Sequence, residues 1–165
     1  DNEAALKRLN SLKERPQEKT FPLIVGDLKT LSLVASRLSK TSKMLVEKYW
    51  PGALTILLPA RKTLSGYITS KGKVAVRIPG VSFALRLAMA AGFPITATSA
   101  NPAGMPPACN AETVKRYFPY EIDLLIDGGK TPGGLPSTLV DVEGGKIKVI
   151  REGAVDARFN EKNHR

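Results

Sequence analysis

The sequence predicts one α/β domain, built as a twisted mixed β-sheet with flanking helices. Apolar runs of strand length alternate with amphipathic stretches of helical period, and the last predicted strands follow one another directly. No repeat, low-complexity segment or long linker divides the 165 residues, an ordinary length for one domain. We therefore expect a single domain over residues 1–156 and a polar tail over residues 157–165.

The first third of the chain predicts three helices and two strands. In order, they cover residues 2–13 (helix), 22–25 (strand), 28–38 and 41–49 (helices), and 54–58 (strand). Leu6, Leu9 and Leu12 recur on one side of the first helix, and Pro16 ends it. Trp50 begins a Trp-Pro-Gly stop that separates the third helix from the second strand.

The rest of the chain predicts two helices among five strands. In order, they cover residues 74–78 (strand), 83–91 (helix), 94–97 (strand), 111–117 (helix), and 124–126, 138–142 and 146–151 (strands). Gly92 is placed to close the first of these helices, and Asn110 is placed to cap the second. Ile147 and Val149 alternate with charged residues, which is typical of a half-buried strand.

The formal net charge of +10 is the unusual bulk property of the chain, because its 42% hydrophobic and 24% charged content are ordinary. A positive field favours anionic partners such as nucleic acid, nucleotides or an acidic surface. Part of the excess also fits an ordinary solvated surface, for example Lys40, Lys43 and Lys48 on one predicted helix.

Several function classes have little support. Cys109 is the only cysteine and His164 the only histidine, so zinc sites and Cys–His or Ser–His catalysis are not expected. A lone cysteine also requires no oxidising compartment. No apolar run reaches the roughly 20 residues that span a bilayer. We expect a cytoplasmic protein without a membrane partner.

A small polar loop follows the strand predicted over residues 94–97. Thr98, Ser99 and Asn101 place hydroxyl and amide groups just past the strand end, where ligands bind in α/β sheets. Small side chains and free backbone N–H groups there suit a phosphate or a carboxylate. The same residues also fit an ordinary polar turn.

Five further short motifs accompany this loop. They are Lys13-Glu-Arg-Pro16, Trp50-Pro-Gly52, Val74-Ala-Val-Arg-Ile-Pro79, Ser137-Thr-Leu-Val-Asp141 and Ile150-Arg-Glu-Gly153. In this order and spacing, they resemble the YrdC-like family, the threonylcarbamoyl-AMP synthases of tRNA threonylcarbamoyladenosine (t6A) synthesis. The family signature pairs a K-x-R with an S-x-N, which correspond here to Lys13/Arg15 and Ser99/Asn101.

The resemblance implies a fold, a reaction and partners. Family members are expected to place a basic concave groove on the sheet and to condense L-threonine, bicarbonate and ATP into threonylcarbamoyl-AMP with release of pyrophosphate. Mg²⁺ is expected with ATP, although Asp127 and Asp141 are too ordinary at strand ends to be assigned as ligands. A downstream threonylcarbamoyl-transferase complex, tRNA or double-stranded RNA are the implied further partners.

The resemblance also implies roles for individual residues. It implies contacts to ATP and its phosphates by Lys13, Arg15, Ser99, Asn101 and Arg151, and contacts to threonine by Arg77 and Ser137. Arginine offers a planar fork of donors and lysine a compact charge, so both suit phosphate oxygens. Without the resemblance, cations at a helix or strand end are more often solvated surface residues. No residue is expected to act as a catalytic nucleophile.

One part of the family pattern is missing. Family members carry a strand and a T-D-T-x-Y-G-L segment ahead of the helix that opens this chain. We expect the sequence to be a fragment of a longer protein, because loss of a sheet strand would leave backbone groups of its neighbours unpaired.

Two other functions stay open at this point. The first is a non-catalytic domain that binds tRNA or double-stranded RNA on the same fold, favoured by the net charge. The second is a YrdC-like module within a carbamoyltransferase of hydrogenase maturation.

Overall fold

A computed structural model describes residues 2–16 and 19–158, and within them it contains five helices and seven strands. The helices are α1 (Glu3–Leu12), α2 (Leu28–Leu31), α3 (Lys40–Tyr49), α4 (Phe83–Ala91) and α5 (Ala111–Tyr117). The strands are β1 (Leu23–Ile24), β2 (Leu54–Pro59), β3 (Thr69–Ser70), β4 (Lys73–Arg77), β5 (Ile95–Thr96), β6 (Thr138–Glu143) and β7 (Lys146–Arg151). The predicted α/β domain with a mixed sheet is confirmed. Residues 159–165 of the predicted tail lie outside the described part.

The strands form one mixed sheet in the order β5-β1-β4-β2-β6-β7. The pairs β1/β4 and β2/β6 are parallel, and the pairs β1/β5, β2/β4 and β6/β7 are antiparallel. β3 pairs with the first residues of β4, whereas β1 pairs with its last residues. The register places the end of β4 beside the beginnings of β2 and β6.

The two faces of the sheet differ in polarity. Successive strand residues point to opposite sides, so each face receives every second residue of a strand. The core face presents Leu54, Ile56, Leu58, Val74, Val76 and Val140, all fully buried. Leu6 of α1 and Leu45 of α3 pack into the same core cluster. The alternation gives the opposite face a mixture of polar and apolar residues, namely Thr55, Leu57, Lys73, Ala75, Arg77, Leu139, Asp141 and Arg151. This second face, the polar face, is therefore the place to look for a site.

The helix ends follow the predicted chemistry. The Asn110 side chain accepts a hydrogen bond of 2.8 Å from the backbone N–H of Thr113, which caps α5. Gly92 ends α4 in the left-handed conformation, with φ of 68°. Both predictions are confirmed. None of the helices in the described ranges is long and apolar enough to cross a membrane.

The helix predicted over residues 28–38 is wrong in length, because α2 ends at Leu31. Ala35 instead forms a β-bridge with Ala60, and the backbone N–H of Ser36 donates to the carbonyl of Pro59 at 2.8 Å. Backbone groups committed to this pairing cannot also continue the helix.

The strand predicted over residues 124–126 is also wrong, since the segment has no regular secondary structure. Leu124 and Ile126 are 77% and 54% exposed. A strand forms only beside a neighbour that satisfies its backbone groups, and a cavity of about 760 Å³ borders this segment.

Strand β3 was not predicted. It forms a hairpin with β4 across Lys71 and Gly72, whose φ angles are 50° and 71°. A two-residue turn with two positive φ angles is the hairpin type that matches strand twist, and glycine favours it. The glycine in the Lys71-Gly72 pair was the feature of the sequence that could have predicted this turn.

Candidate functional site

The residue after α1 lies against the loop that follows β5. Lys13 is buried, and its ammonium group donates hydrogen bonds to the backbone carbonyls of Ser99 and Asn101. The same group lies 3.4 Å from Oδ1 of Asn101, and the Lys13 carbonyl accepts 2.9 Å from the N–H of Ala103. The structure thus brings the K-x-R and S-x-N motifs together, through Lys13 and the loop backbone.

The side chains of Lys13 and Asn101 both stabilise the conformation of this loop through hydrogen bonds to its backbone. The Asn101 amide donates to the carbonyls of Pro102 (3.0 Å) and Met105 (2.6 Å). Burial, and secondly the charge of Arg15, lowers the pKa of Lys13. Ser99, by contrast, is exposed, and its hydroxyl makes no hydrogen bond within the described part of the chain. Ser99 therefore has a hydroxyl that is available to a ligand, as does the exposed Thr98 before it.

Arg15 is fixed by backbone carbonyls and an aromatic ring. Its Nε donates to the carbonyl of Lys19 at 2.7 Å, and an Nη donates to that of Thr20 at 2.9 Å. Its guanidinium carbon lies 5.0 Å from the centroid of the buried Phe21 ring. These contacts use two of its five N–H donors and hold the guanidinium plane in place.

Arg77 and Arg151 lie at the same end of the polar face, where β4 and β7 end. An Arg151 Nη donates to the carbonyl of Ser137 at 2.8 Å and to its hydroxyl at 3.2 Å. The Ser137 hydroxyl is 2.8 Å from that of Thr55 on β2. The Arg77 guanidinium makes no hydrogen bond or ion pair within the described residues.

Arg15, Arg77 and Arg151 are here called the arginine cluster, because Arg151 lies close enough to both Arg15 and Arg77 for its charge to repel theirs. Burial lowers the pKa of both Arg15 and Arg77, and the charge of Arg151 lowers each of them further. No carboxylate forms an ion pair with these three residues in the described part. Unneutralised guanidinium groups on one surface create a field that favours an anionic ligand.

The other end of the polar face carries a neutralised cation. Lys73, at the start of β4, donates to both carboxylate oxygens of Asp141 at 2.7 Å and to Glu143 at 2.9 Å. These hydrogen bonds raise the pKa of Lys73 despite partial burial. Because Lys73 engages both Asp141 oxygens, that carboxylate does not suit a metal ion. The described residues contain no group of three or more potential metal ligands.

A cavity of about 760 Å³ opens beside the Ser99 loop. Its wall is mostly apolar and includes Leu9, Phe83 and Phe118, while Lys13 and Ser99 contribute polar atoms at one side. A volume of this size can accept most of a small organic ligand. The exposed hydroxyl of Ser99 therefore lies beside space for a ligand.

The predicted site residues form two groups in the structure. Lys13, Ser99 and Asn101 meet at the loop. Arg77, Arg151 and Ser137 lie at one end of the polar face, and the charge of Arg151 also acts on Arg15. Thr55 was not predicted, although it orients Ser137. The available signal was that Thr55 is the one hydroxyl residue in the otherwise apolar strand β2.

A mixed sheet with helices packed on its core face and unneutralised arginines on the other face places the described residues in the class of α/β domains suited to anionic ligands. Within that class, this chain belongs to the Sua5/YciO/YrdC family. Residues 1–153 match the family model, which is described as "Telomere recombination".

Individual relatives agree with this membership. The chain is 33% identical over 162 residues to the threonylcarbamoyl-AMP synthase of Pyrococcus abyssi and 32% identical over 156 residues to that of Bacillus subtilis. The matches cover 98% and 93% of this chain but 48% and 45% of those proteins. The chain therefore spans about half the length of the curated relatives that it matches.

A solved structure matches the fold closely. The crystal structure of P. abyssi Sua5 complexed with L-threonine aligns with a TM-score of 0.84 and 32% identity. This alignment covers 92% of the present chain and 45% of the Sua5 chain.

Proposed function

We propose that this chain forms the catalytic domain of an L-threonylcarbamoyladenylate synthase, a nucleotidyltransferase that acts in the cytoplasm. The observation that carries the proposal is the arginine cluster, with Ser137 bonded to Arg151 and no carboxylate in ion-pair contact among the described residues. Family membership and the names of the relatives support it. A triphosphate and a free amino-acid carboxylate are ligands that such a cluster can hold.

In this proposal the chemistry needs no protein nucleophile. The amino group of L-threonine adds to bicarbonate with loss of water and gives a carbamate. A carbamate oxygen then attacks the α-phosphorus of ATP, and the bond from that phosphorus to the bridging oxygen breaks. Pyrophosphate leaves with the electron pair, and threonylcarbamoyl-AMP remains. Catalysis then rests on positioning and on stabilising charge at the phosphate oxygens.

We assign the phosphates to Arg15, Arg151 and the Ser99 loop. Arg15 has three unused N–H donors beside a fixed ring contact, and its orientation is set before a ligand arrives. Lys13 and Asn101 hold the loop, so that the Ser99 hydroxyl and the loop N–H groups can face the adenylate. Two of the three N–H donors of Lys13 go to carbonyls, so a direct contact to a phosphate would use the third donor and replace the 3.4 Å contact to Oδ1 of Asn101.

We assign the threonine carboxylate to Arg77, with Ser137 beside it. Arg77 is half-buried and has no carboxylate or hydrogen-bond partner among the described residues, so a substrate carboxylate would satisfy it. The Ser137 hydroxyl, held between Thr55 and Arg151, suits a polar group of the amino acid.

Magnesium would enter with the substrate. Mg²⁺ is commonly held by substrate phosphates and water together with few protein carboxylates, which suits a site without a carboxylate cluster among the described residues. It would supply neutralisation of phosphate charge, while the arginine cluster positions the triphosphate.

The product would pass to a downstream transferase complex that modifies tRNA. A mixed anhydride of a carbamate and a phosphate is an activated group, and its consumption requires an acceptor. We place this chain upstream of that transfer.

The first test is pyrophosphate release by this chain with ATP and Mg²⁺, with and without L-threonine and bicarbonate. We expect release that requires both co-substrates. Arg15→Ala should abolish it, while Arg116→Ala, which removes an exposed arginine on α5, should leave it intact. Release without threonine, or full activity in Arg15→Ala, would contradict the proposal.

A further inference from the structure

The end of helix α1 has the hydrogen bonds of a Schellman motif, a chain reversal that ends many helices. The backbone N–H of Glu14 donates to the carbonyl of Ser11 at 3.0 Å. The backbone N–H of Arg15 donates to the carbonyl of Asn10 at 3.2 Å. Glu14 has the left-handed conformation that this motif requires, with φ of 47°. The reversal therefore fixes the backbone of the two residues that follow Lys13.

Asn10 binds both backbone polar groups of Arg15. Its carbonyl accepts from the Arg15 N–H, and its side-chain amide donates to the Arg15 carbonyl at 3.1 Å. A Schellman motif commonly has a hydrophobic contact between the residues at these two positions, and here a side-chain hydrogen bond replaces it. Asparagine forms helices less readily than alanine or leucine. The hydrogen bond to Arg15, rather than helix formation, therefore accounts for an asparagine at this position.

The side chain of Arg15 is held by a second segment, residues 19–21. Its guanidinium donates to the carbonyls of Lys19 and Thr20, and it lies against the ring of Phe21. The Phe21 ring is fully buried in the core, and the Phe21 N–H donates to the carbonyl of Tyr67 at 2.8 Å. An aromatic face attracts a cation. The core thus fixes the ring against which the guanidinium packs.

The same segment connects Arg15 with the Ser99 loop. The next residue, Pro22, accepts a hydrogen bond of 2.9 Å from the N–H of Ala97, which lies two residues before Ser99. The following residues form β1, which pairs with β5. Phe21 therefore lies between the residues that hold Arg15 and the strand that leads into the loop assigned to the adenylate.

These contacts hold Arg15 where its positive charge is unfavourable. Burial, and secondly the charge of Arg151, lowers the pKa of Arg15. No carboxylate forms an ion pair with Arg15 within the described residues. A solvated arginine would also keep the side-chain freedom that the contacts remove. A cation that is fixed in advance binds an anion without reorganising when the anion arrives.

We infer that Asn10 and Phe21 are positioning residues that hold the Arg15 guanidinium in the orientation that binds a phosphate group of the nucleotide. Asn10 fixes the backbone from which the side chain starts, and Phe21 fixes the plane of the guanidinium at its end. The three N–H donors of Arg15 that no described residue accepts then keep one direction. Only the identity of the ligand rests on the proposed function.

The test measures ATP binding with Mg²⁺ by isothermal titration calorimetry, without L-threonine so that no reaction takes place. Asn10→Ala removes the amide donor, and Phe21→Leu removes the aromatic face but keeps a large apolar side chain in the core. Each variant has a matched control. Ser11→Ala changes an exposed neighbour on α1 whose hydroxyl makes no hydrogen bond within the described residues. Leu45→Val removes buried apolar atoms on α3.

We expect ATP to bind about fivefold more weakly to Asn10→Ala and to Phe21→Leu, an effect of the size of one hydrogen bond or one cation–π contact. Both controls should bind ATP as the unsubstituted chain does. With Arg15→Ala already present, neither substitution should weaken binding by more than about twofold, because both act through Arg15. Equal losses with and without Arg15, or no ATP binding by the unsubstituted chain, would overturn the inference.

A variant that keeps the shape of the core guards against misfolding of Phe21→Leu. A phenylalanine with a fluorinated ring at position 21 fills nearly the same space but attracts a cation less strongly. It should weaken ATP binding in the same direction as Phe21→Leu. The same fluorinated residue at the exposed position of Phe93 is the control and should have no effect. Unchanged ATP binding with the fluorinated ring at position 21 would show that Phe21 only fills the core.

Pyrophosphate release separates this inference from the proposed function. We expect Asn10→Ala to raise the KM for ATP about fivefold, with little change in the KM for L-threonine. ATP binding that depends on Asn10 and Phe21, without threonine-dependent release, would support the positioning role and contradict the synthase. Threonine-dependent release with the same KM for ATP in both variants and both controls would support the synthase and overturn the positioning role.

Discussion

The two ends of the polar face make opposite use of positive charge. At one end, Lys73 is paired with Asp141 and Glu143, and these contacts raise its pKa. At the other, Arg77 has no carboxylate in ion-pair contact among the described residues, and burial with the charge of Arg151 lowers its pKa. A satisfied cation contributes to the fold, whereas an unsatisfied one weakens it and is available to a ligand. The difference identifies which end is the candidate site.

Among the variants that compare the two ends of the polar face, Arg77→Ala is expected to have the largest effect, a loss of activity. We expect kcat/KM for L-threonine to fall by about 100-fold, in the range for truncating one partner of a desolvated charge pair, because Arg77 is assigned to the threonine carboxylate. Stability should not fall, because the substitution removes repulsion from Arg151 and breaks no hydrogen bond within the described residues. Steady-state kinetics and thermal unfolding of the same sample measure both quantities.

A clear loss of stability in Arg77→Ala would contradict this comparison. Arg116→Ala serves as the control, because Arg116 is exposed and distant in sequence from the cluster. It should change neither the rate nor the melting temperature.

The opposite pattern is expected for Lys73→Met. The substitution leaves the buried Asp141 carboxylate without its ammonium partner, so the free energy of unfolding should fall by about 2 kcal/mol. Urea denaturation measures this loss. The double variant Lys73→Met/Asp141→Asn should recover part of it. Pyrophosphate release at a temperature where the variant is folded should match that of the unsubstituted chain, and a 100-fold loss would place Lys73 in the site instead.

A smaller effect on substrate binding is expected for Ser137→Ala. The serine hydroxyl links Thr55 to Arg151, so its removal takes away one acceptor of Arg151 and one candidate contact to threonine. We expect the KM for L-threonine to rise about tenfold, equivalent to about 1.4 kcal/mol, with little change in the KM for ATP. Thr55→Ala should produce a weaker change in the same direction. A selective rise in the KM for ATP would move Ser137 to the nucleotide.

The fold class and most helices and strands could be predicted from the sequence. In these elements, the spacing of apolar residues and the residues at each end indicate the same structure. Asn110 and Gly92 are examples in which a local chemical rule fixes a helix end. Failures occurred where long-range pairing decides. Residues 32–38 have helical composition, yet Ala35 pairs with Ala60, twenty-five residues away in the chain. Leu124 to Ile126 have strand composition but no hydrogen-bonded strand partner among the described residues.

The sequence indicated which residues belong to the candidate site, but it did not indicate which contacts they make with one another. The K-x-R and S-x-N motifs do meet in the structure, but the contact is between the Lys13 ammonium and loop carbonyls. Thr55 and the Lys73 ion pairs depend on strand register, which places Leu57 beside Asp141 and Pro59 beside Lys73. No local pattern in the sequence encodes that register. The assigned ligand roles of the site residues stay predictions until the variants are measured.

The smallest expected effect concerns the acid dependence of stability. Hydrogen bonding and the charge of Lys73 lower the pKa of Glu143 below its ordinary value. A carboxylate with a lowered pKa in the folded state stabilises the fold above its ordinary pKa of about 4.3, and this contribution is lost as the pH falls through the lowered value. In Glu143→Gln the contribution is absent at every pH.

The stability difference between the unsubstituted chain and Glu143→Gln should therefore be present at pH 6 and shrink towards pH 3. Urea denaturation across this pH range measures it. Glu47→Gln, which changes an exposed carboxylate of α3 that forms no ion pair within the described part, should give no such pH-dependent difference. A difference for Glu143→Gln that stays constant down to pH 3 would mean that Glu143 does not act through its charge. The ion pairs at this end would then rest on Asp141 alone, and the contrast with the arginine cluster would depend on one carboxylate.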